Sequence, residues 1–217
     1  MKISKETVGV LKNFASINSN LMLKEGNYIS SISVGKSLVG RARITETIPQ
    51  DFGIYDVQEF LGVLSLFEDP EITFEDKYVI IKQGNSSIKY FAADESVLTY
   101  PKKFPPLGDS EIEFNLTAND ITAILKTASV LKTSDVRFVG DGSSLSVVVG
   151  SKKTNTSNNF TQELGETDKT FCVSINTDNL KVIPQDFTAS VINRRMIQLK
   201  SESLTYIIAI ETDSSFE

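Results

Sequence analysis

The chain has 217 residues, 40% of them hydrophobic and 23% charged, the composition of an ordinary globular protein of one large domain or two of about 100 residues. It contains no histidine and a single cysteine, Cys172. That rules out serine–histidine and cysteine–histidine catalysis and argues against a zinc site. The formal net charge of −6 argues against tight nucleic-acid binding over the whole surface, but leaves room for a local basic lining.

Other motifs narrow the field further. No run of 18 apolar residues is present and the start, MKISKETVGV, lacks the apolar stretch of a secretory signal, so a cytoplasmic protein without a transmembrane helix is expected. Cys172 sits in the strand-like TFCVSI and reads as a buried structural thiol. Neither a Walker A loop nor GxGxxG appears, and no cofactor or metal is expected. The carboxylates Glu68, Asp69, Glu71, Glu75 and Asp76 cluster around one turn and read as solvated surface. A non-enzyme is the expectation.

In chain order, Ser4 is placed to cap a first helix running to about Asn18. Ile3, Val10, Phe14, Ile17 and Leu21 fall on one stripe at 3.6-residue spacing, with Lys5, Lys12, Ser16 and Ser19 roughly opposite. Segments 21–34 and 36–45 alternate as strands, with turns at Gly26-Asn27 and Gly35-Lys36. Asp56 and Glu59 form a D-x-x-E capping box before Val57, Phe60, Leu61 and Leu64, which predicts a second helix to about Leu66. Three more strands follow, with Gly84-Asn85 between the last two.

Residues 94–110 carry Pro101, Pro105 and Pro106 and show neither a helical nor a strand period. The linker is therefore placed at 95–110, between domains 1–94 and 111–217. In the second half, EIEFN is a strand and Thr117 with Asp120 boxes a helix with apolar stripe Ile121, Ile124, Leu125, Ala128 and Leu131. Its other face carries Asn119, Thr122, Lys126, Ser129 and Thr133. A hairpin turns at Asp141-Gly142, two strands follow a polar loop at 151–159, and Asn176 caps a second short helix over TDNLKVI before three closing strands.

The element order of the first half thus returns in the second, although residue identity between the halves is faint. The expected class is α+β, with two similar domains that each pack two helices on antiparallel sheets. Lysine on two smooth helical faces suggests a protein that surrounds something anionic.

On the segments M-K-I-S-K-E-T-x-x-x-L-K-N-F-A-S-I-N-S, I-Y-D-V-Q-E-F-L-G-V-L-S-L and the ending Y-I-I-A-I-E-T-D-S, the chain resembles the sliding clamps, the DNA polymerase processivity factors, of T-even-type bacteriophages. The resemblance covers the whole chain and fits least well in the linker and at 151–159. It implies the DNA-clamp fold and a head-to-tail homotrimer of six similar domains around double-stranded DNA. It also implies tethering of the replicative DNA polymerase, loading by an ATP-driven clamp-loader complex and, in related phages, activation of late transcription through late-transcription factors. Four helices per chain and twelve per trimer, each about 10 Å wide, would enclose a hole of roughly 28 Å, against about 15 Å for a dimer.

The resemblance also implies roles for residues. Lys5, Lys12, Ser16, Lys126 and Ser129 would face DNA. Val97, Leu98, Tyr100, Phe104, Pro106 and Leu107 are the apolar linker residues beside which a partner peptide would dock. Ile88 and Tyr90 of one chain and Phe160 and Gln162 of the next would meet at the subunit interface by edge-strand pairing. Two rival readings are a single-stranded nucleic-acid-binding protein and a virion interaction protein. The absence of tryptophan and phenylalanines placed mainly on core faces weigh against the first.

Overall fold

A computed structural model of the chain describes residues 1–105, 110–152 and 157–217. The chain divides into two compact units, Met1–Phe104 and Pro105–Glu217.

In the first unit, α1 (Lys5–Ile17) leads into β1 (Leu21–Leu23), β2 (Gly26–Ile32), β3 (Leu38–Ile48) and β4 (Phe52–Ile54). Then come α2 (Val57–Ser65), β5 (Glu71–Phe74), β6 (Tyr78–Gln83) and β7 (Ser86–Phe91). All the strand pairs are antiparallel: β1 with β4, β2 with β3, and the sheet β5-β6-β7. Helix α1 begins where Ser4 Oγ accepts from the Thr7 amide at 3.2 Å. It buries Thr7, Val10, Leu11, Phe14 and Ile17 against β2, β3 and α2. Phe14 is completely buried, and a Cβ at Gly40 of β3 would lie 2.8 Å from its ring. The close seating of helix on sheet thus depends on glycine there.

Helix α2 keeps half of its expected cap. Asp56 accepts from the Gln58 and Glu59 amides at 2.8 and 3.1 Å. Glu59 does not return the bond; its carboxylate accepts from the Tyr90 hydroxyl at 3.4 Å.

In the second unit, β8 (Ser110–Leu116) and α3 (Ala118–Leu131) precede β9 (Asp135–Asp141), β10 (Ser144–Gly150), β11 (Asn159–Glu166) and β12 (Thr170–Asn176). The chain closes with β13 (Phe187–Ile192), β14 (Met196–Lys200), β15 (Leu204–Ala209) and β16 (Ser215–Phe216). One antiparallel sheet runs β11-β10-β9-β12-β16, and a second set of neighbours runs β15-β14-β13-β8. Helix α3 buries Ile121, Ile124 and Ala128 and packs on β9 and β10, in which Val136, Phe138 and Val147 are buried. Its capping box is complete: the Thr117 amide donates to Asp120 at 2.8 Å and the Asp120 amide donates to Thr117 Oγ1 at 3.2 Å.

The expected second helix of this half is corrected. TDNLKVI forms a single 3-10 turn, Thr177–Asn179, capped by Asn176 Oδ1 accepting from the Asp178 amide at 2.9 Å. Leu180 and Val182 are both buried. That spacing of two suits extended chain, and Pro184 draws Ile183 away from helical geometry. Among the described residues there are therefore three α-helices, not four, and the twelve-helix circle does not carry over to three copies.

Part of the stretch expected as linker has local structure of its own. Glu95–Val97 is a 3-10 turn, with Asp94 accepting from the Ser96 amide at 2.9 Å. The stretch that follows is fastened to the first unit. The Thr99 amide donates to Asn20 Oδ1 at 2.8 Å, and Asn18 Nδ2 donates to both Ile32 O and Thr99 O, at 2.9 and 3.1 Å. Pro106, Leu107 and residues 153–156 lie outside the described residues.

Candidate nucleic-acid interface

The two lysine-bearing faces form as the helical phase dictates. On α1, Lys5, Lys12 and Ser16 are exposed, and Ser19 is exposed just beyond its end. On α3, Asn119, Thr122, Lys126 and Ser129 are exposed. Among the described residues, none of Lys5, Lys12 and Lys126 has a carboxylate within ion-pair distance. Their ammonium groups are open to an external anion.

The small residues between them are turned back on their own helices. Ser16 Oγ donates to Asn13 O at 2.6 Å, and Thr122 Oγ1 donates to Ala118 O at 2.7 Å. Hydroxyls occupied in this way do not compete with the lysines for an external anion, and on α3 the exposed Val130 stands one turn beyond Lys126. Lys132 ends α3 in the left-handed conformation, at φ 50°, and is exposed beside this face; sequence reasoning gave it no role.

Lys5 and Lys12 also border a cleft of about 420 Å³ between α1 and α2, floored by Val8, Gly9, Leu61 and Leu64. Glu68 and Asp69 line it as well, and Asp69 pairs with Lys2. The lysine row on α1 is thus a rim above an apolar groove, not a flat helical surface. Leu61 and Leu64 belong to the apolar stripe of α2, and only the packing of α1 beside α2 shows that they also floor this groove.

Glu46, on β3, holds the start of α1. It accepts from Thr7 Oγ1 at 2.6 Å and from the Ser4 amide. Partial burial pushes its pKa up, but the bonds from Thr7 and Ser4 outweigh that and hold it at about 2. Sequence reasoning missed Glu46, because its partners lie about 40 residues away.

The apolar linker residues separate. Leu98 is buried over Gly53, where an added Cβ would lie 2.8 Å from Leu98 Cδ1. Val97 is exposed. Tyr100 and Phe104 line a cleft of about 310 Å³ with Tyr28 and Arg41. The Arg41 guanidinium stands 4.0 Å from the centre of the Tyr28 ring and 5.3 Å from that of Phe104, a stacking that favours both aromatics. Tyr100 carries the ammoniums of Lys102 and Lys24 at 4.3 and 5.4 Å from its ring.

The interface candidates lie on edge strands. β7 ends the sheet β5-β6-β7, and β11 ends the five-stranded sheet. Ile88, Tyr90, Phe160 and Gln162 are all half-buried. Tyr90 packs on Phe60 at 5.2 Å between ring centres, and its hydroxyl donates to Asp56 O at 3.3 Å. Burial first, then the Glu59 carboxylate, pushes its phenol up to about 12. Gln162 Nε2 donates to Asp120 Oδ1 at 2.6 Å. Both side chains therefore brace their own unit's helix, and what each strand offers outward is its free backbone edge.

Cys172 is half-buried in β12, and burial raises its thiol pKa. Among the described residues no group of three His, Cys, Asp or Glu side chains is arranged to hold a metal ion, and no helix is long and apolar enough to cross a membrane.

The family model described as DNA polymerase processivity factor matches residues 4–100. The sliding clamp of Enterobacteria phage T4 is 31% identical over 228 residues, covering all of both chains. The chain belongs to the sliding-clamp family. The sliding clamp of Vibrio phage KVP40 is 28% identical, over 97% of this clamp and 99% of that one. Among solved structures, A. fulgidus PCNA bound to the C-terminal region of FEN-1 superposes with a TM-score of 0.71 at 14% identity, over 96% of each chain; that likeness carries the fold alone. As a sliding clamp, the chain is a bacteriophage-type processivity factor of DNA replication.

Proposed function

We propose that three copies of this chain close head to tail into a ring around duplex DNA. The ring tethers the replicative polymerase, with Lys5, Lys12, Ser16, Lys126 and Ser129 facing the duplex. The observation that carries this reading is that each unit has a helix with open cations, Lys5 and Lys12 on α1 and Lys126 on α3, free of ion pairs among the described residues and set beside self-satisfied hydroxyls. A few flexible lysines contact phosphates without reading sequence and exchange quickly, which sliding requires. Retention then comes from topology, and the acidic balance of the remaining surface discourages DNA from binding outside.

The free edges of β7 and β11 supply the subunit joint by antiparallel pairing across chains. The domains are 1–94 and 111–217, joined by the linker 95–110. The linker aromatics Tyr100 and Phe104 receive a partner peptide, with Val97, Leu98, Pro106 and Leu107 along the same segment. An ATP-driven loader opens the ring in the cytoplasm of the infected bacterial host, and late-transcription factors use the same ring. The chain itself performs no catalysis; it holds the polymerase on its template.

Molar mass in solution tests the assembly. Three times the 23.9 kDa chain mass is expected at micromolar concentration and above. A monomer at all concentrations overturns the ring.

A further inference from the structure

The pleat of β2 and β3 sorts their side chains onto two faces. Ile29 stands opposite Ala42 and Ser31 opposite Gly40; all four are buried, and Gly40 meets Phe14 of α1. Tyr28, opposite Arg43, and Ser30, opposite Arg41, therefore lie on the other face. There the cleft of about 310 Å³ opens, walled by Met22, Tyr28, Tyr100, Pro101 and Phe104.

The cations of this cleft are not equivalent. Lys24 and Lys102 are taken by Asp51 and Glu95, each at 2.6 Å. Arg41 and Lys103 have no carboxylate within ion-pair distance among the described residues. Glu25 is the one carboxylate among the lining residues. The Tyr28 and Phe104 rings hold the Arg41 charge but offer its N–H donors no oxygen. A guanidinium held in place with its donors unspent is a preformed fork for an oxoanion, and its fixed position lowers the cost of ordering on binding. Two open cations make too few phosphate contacts to hold a nucleic-acid strand well. Three aromatic rings beside an arginine are instead the kind of anchor by which a protein surface holds a peptide.

We propose that this cleft binds an acidic and aromatic segment of a partner protein. Arg41 takes the carboxylate of an aspartate or glutamate through its N–H donors, and Lys103, exposed in the same lining, adds a second positive charge. An apolar neighbour of the acidic residue packs on Tyr100 and Phe104. The proposal rests on the reading that Tyr100 and Phe104 receive a partner peptide, and it adds the residue that selects that peptide.

The test measures dissociation constants for the full chain by ligand-observed NMR, with three probes: N-acetyl-Phe-Asp-Phe-amide, its asparagine counterpart and hexathymidylate. The aspartate peptide should bind about tenfold more tightly than the asparagine peptide, or better. Arg41→Gln should remove that preference and leave the asparagine peptide bound as before. Arg41→Lys should keep only part of it, since the charge survives and the fork does not; it also carries the test if Arg41→Gln fails to fold. Phe104→Ala should weaken both peptides alike. Equal binding of the two peptides, or a preference undiminished in the Arg41 variants, overturns the carboxylate site alone, provided Phe104→Ala still weakens both. No binding of either peptide, or binding that Phe104→Ala leaves unchanged, overturns the docking reading and the proposal with it. Hexathymidylate bound more tightly than the aspartate peptide, and lost with Arg41→Gln, assigns the cleft to nucleic acid and overturns the proposal.

Discussion

Asn18, the residue that caps α1, reaches Thr99 across 81 positions of sequence, its Nδ2 donating to the Thr99 carbonyl at 3.1 Å and to Ile32 O at 2.9 Å. Asn18 is only 4% exposed. The end of the lysine-bearing helix and the stretch that leads out of the first unit are thus held by one amide. Asn18→Ala removes two hydrogen bonds, each worth about 0.5–1.5 kcal/mol, and should cost about 1–3 kcal/mol. It should also speed exchange of the Thr99 amide, which donates to neighbouring Asn20. Chemical denaturation and hydrogen exchange check this; unchanged exchange at Thr99 removes the coupling.

Gly53 is the counterpart on β4. A Cβ there would meet Ala93 O at 2.4 Å and Leu98 Cδ1 at 2.8 Å. Gly53→Ala should therefore force the 93–98 backbone outward and destabilise the chain by about 1–3 kcal/mol. Gly62, whose Cβ would meet nothing within 4 Å, is the control. Gly62→Ala lies within α2 and should stabilise slightly. Equal thermal midpoints for the two variants contradict the packing.

Glu46 makes stability depend on pH in a definite direction. Its folded pKa of about 2 lies below the ordinary carboxylate value of 4.5. Its contribution is therefore complete above about pH 4.5 and lost as pH falls toward 2. Glu46→Gln should be less stable than the native chain at pH 7. The gap should narrow through that window and close near its lower end, as followed by urea denaturation at several pH values. A gap independent of pH points to lost packing instead.

Replacing Lys5, Lys12 and Lys126 together by alanine should leave fold and assembly intact. All three are exposed, and alanine favours helix. Processive synthesis or loading should fall, and the salt dependence of residual DNA contact should flatten by up to about one unit of slope per lost phosphate contact. Unaltered processivity and salt slope move the DNA face elsewhere.

Much of this architecture is legible in the chain because it is written in local periods. Phe14 and Ile17 opposite Lys5 and Lys12, and Ile121 and Ile124 opposite Lys126, follow from helical phase alone, and the Thr117–Asp120 box marks its helix start within four residues. The failures are at long range or at marginal length. TDNLKVI carries a good cap, but seven residues before Pro184 do not propagate a helix, and Leu180 and Val182 settle as extended core instead. Tyr90 and Gln162 alternate correctly along edge strands. Nothing local reveals that each side chain is spoken for by its own helix, through Asp56 and Glu59 in one case and Asp120 in the other. Asn18 with Thr99, Glu46 with Thr7 and Arg41 between Tyr28 and Phe104 are pairings across 81, 39, 13 and 63 positions, beyond the reach of any local pattern.

The central claim, retention by topology, is tested most directly by loading the clamp with its cognate loader onto nicked circular DNA and then linearising the circle. Bound protein should persist on the circle at a salt concentration that abolishes ordinary lysine–phosphate contact, and should leave rapidly once free ends exist. Equal retention on circular and linear DNA, or equal loss from both, contradicts a ring around the duplex.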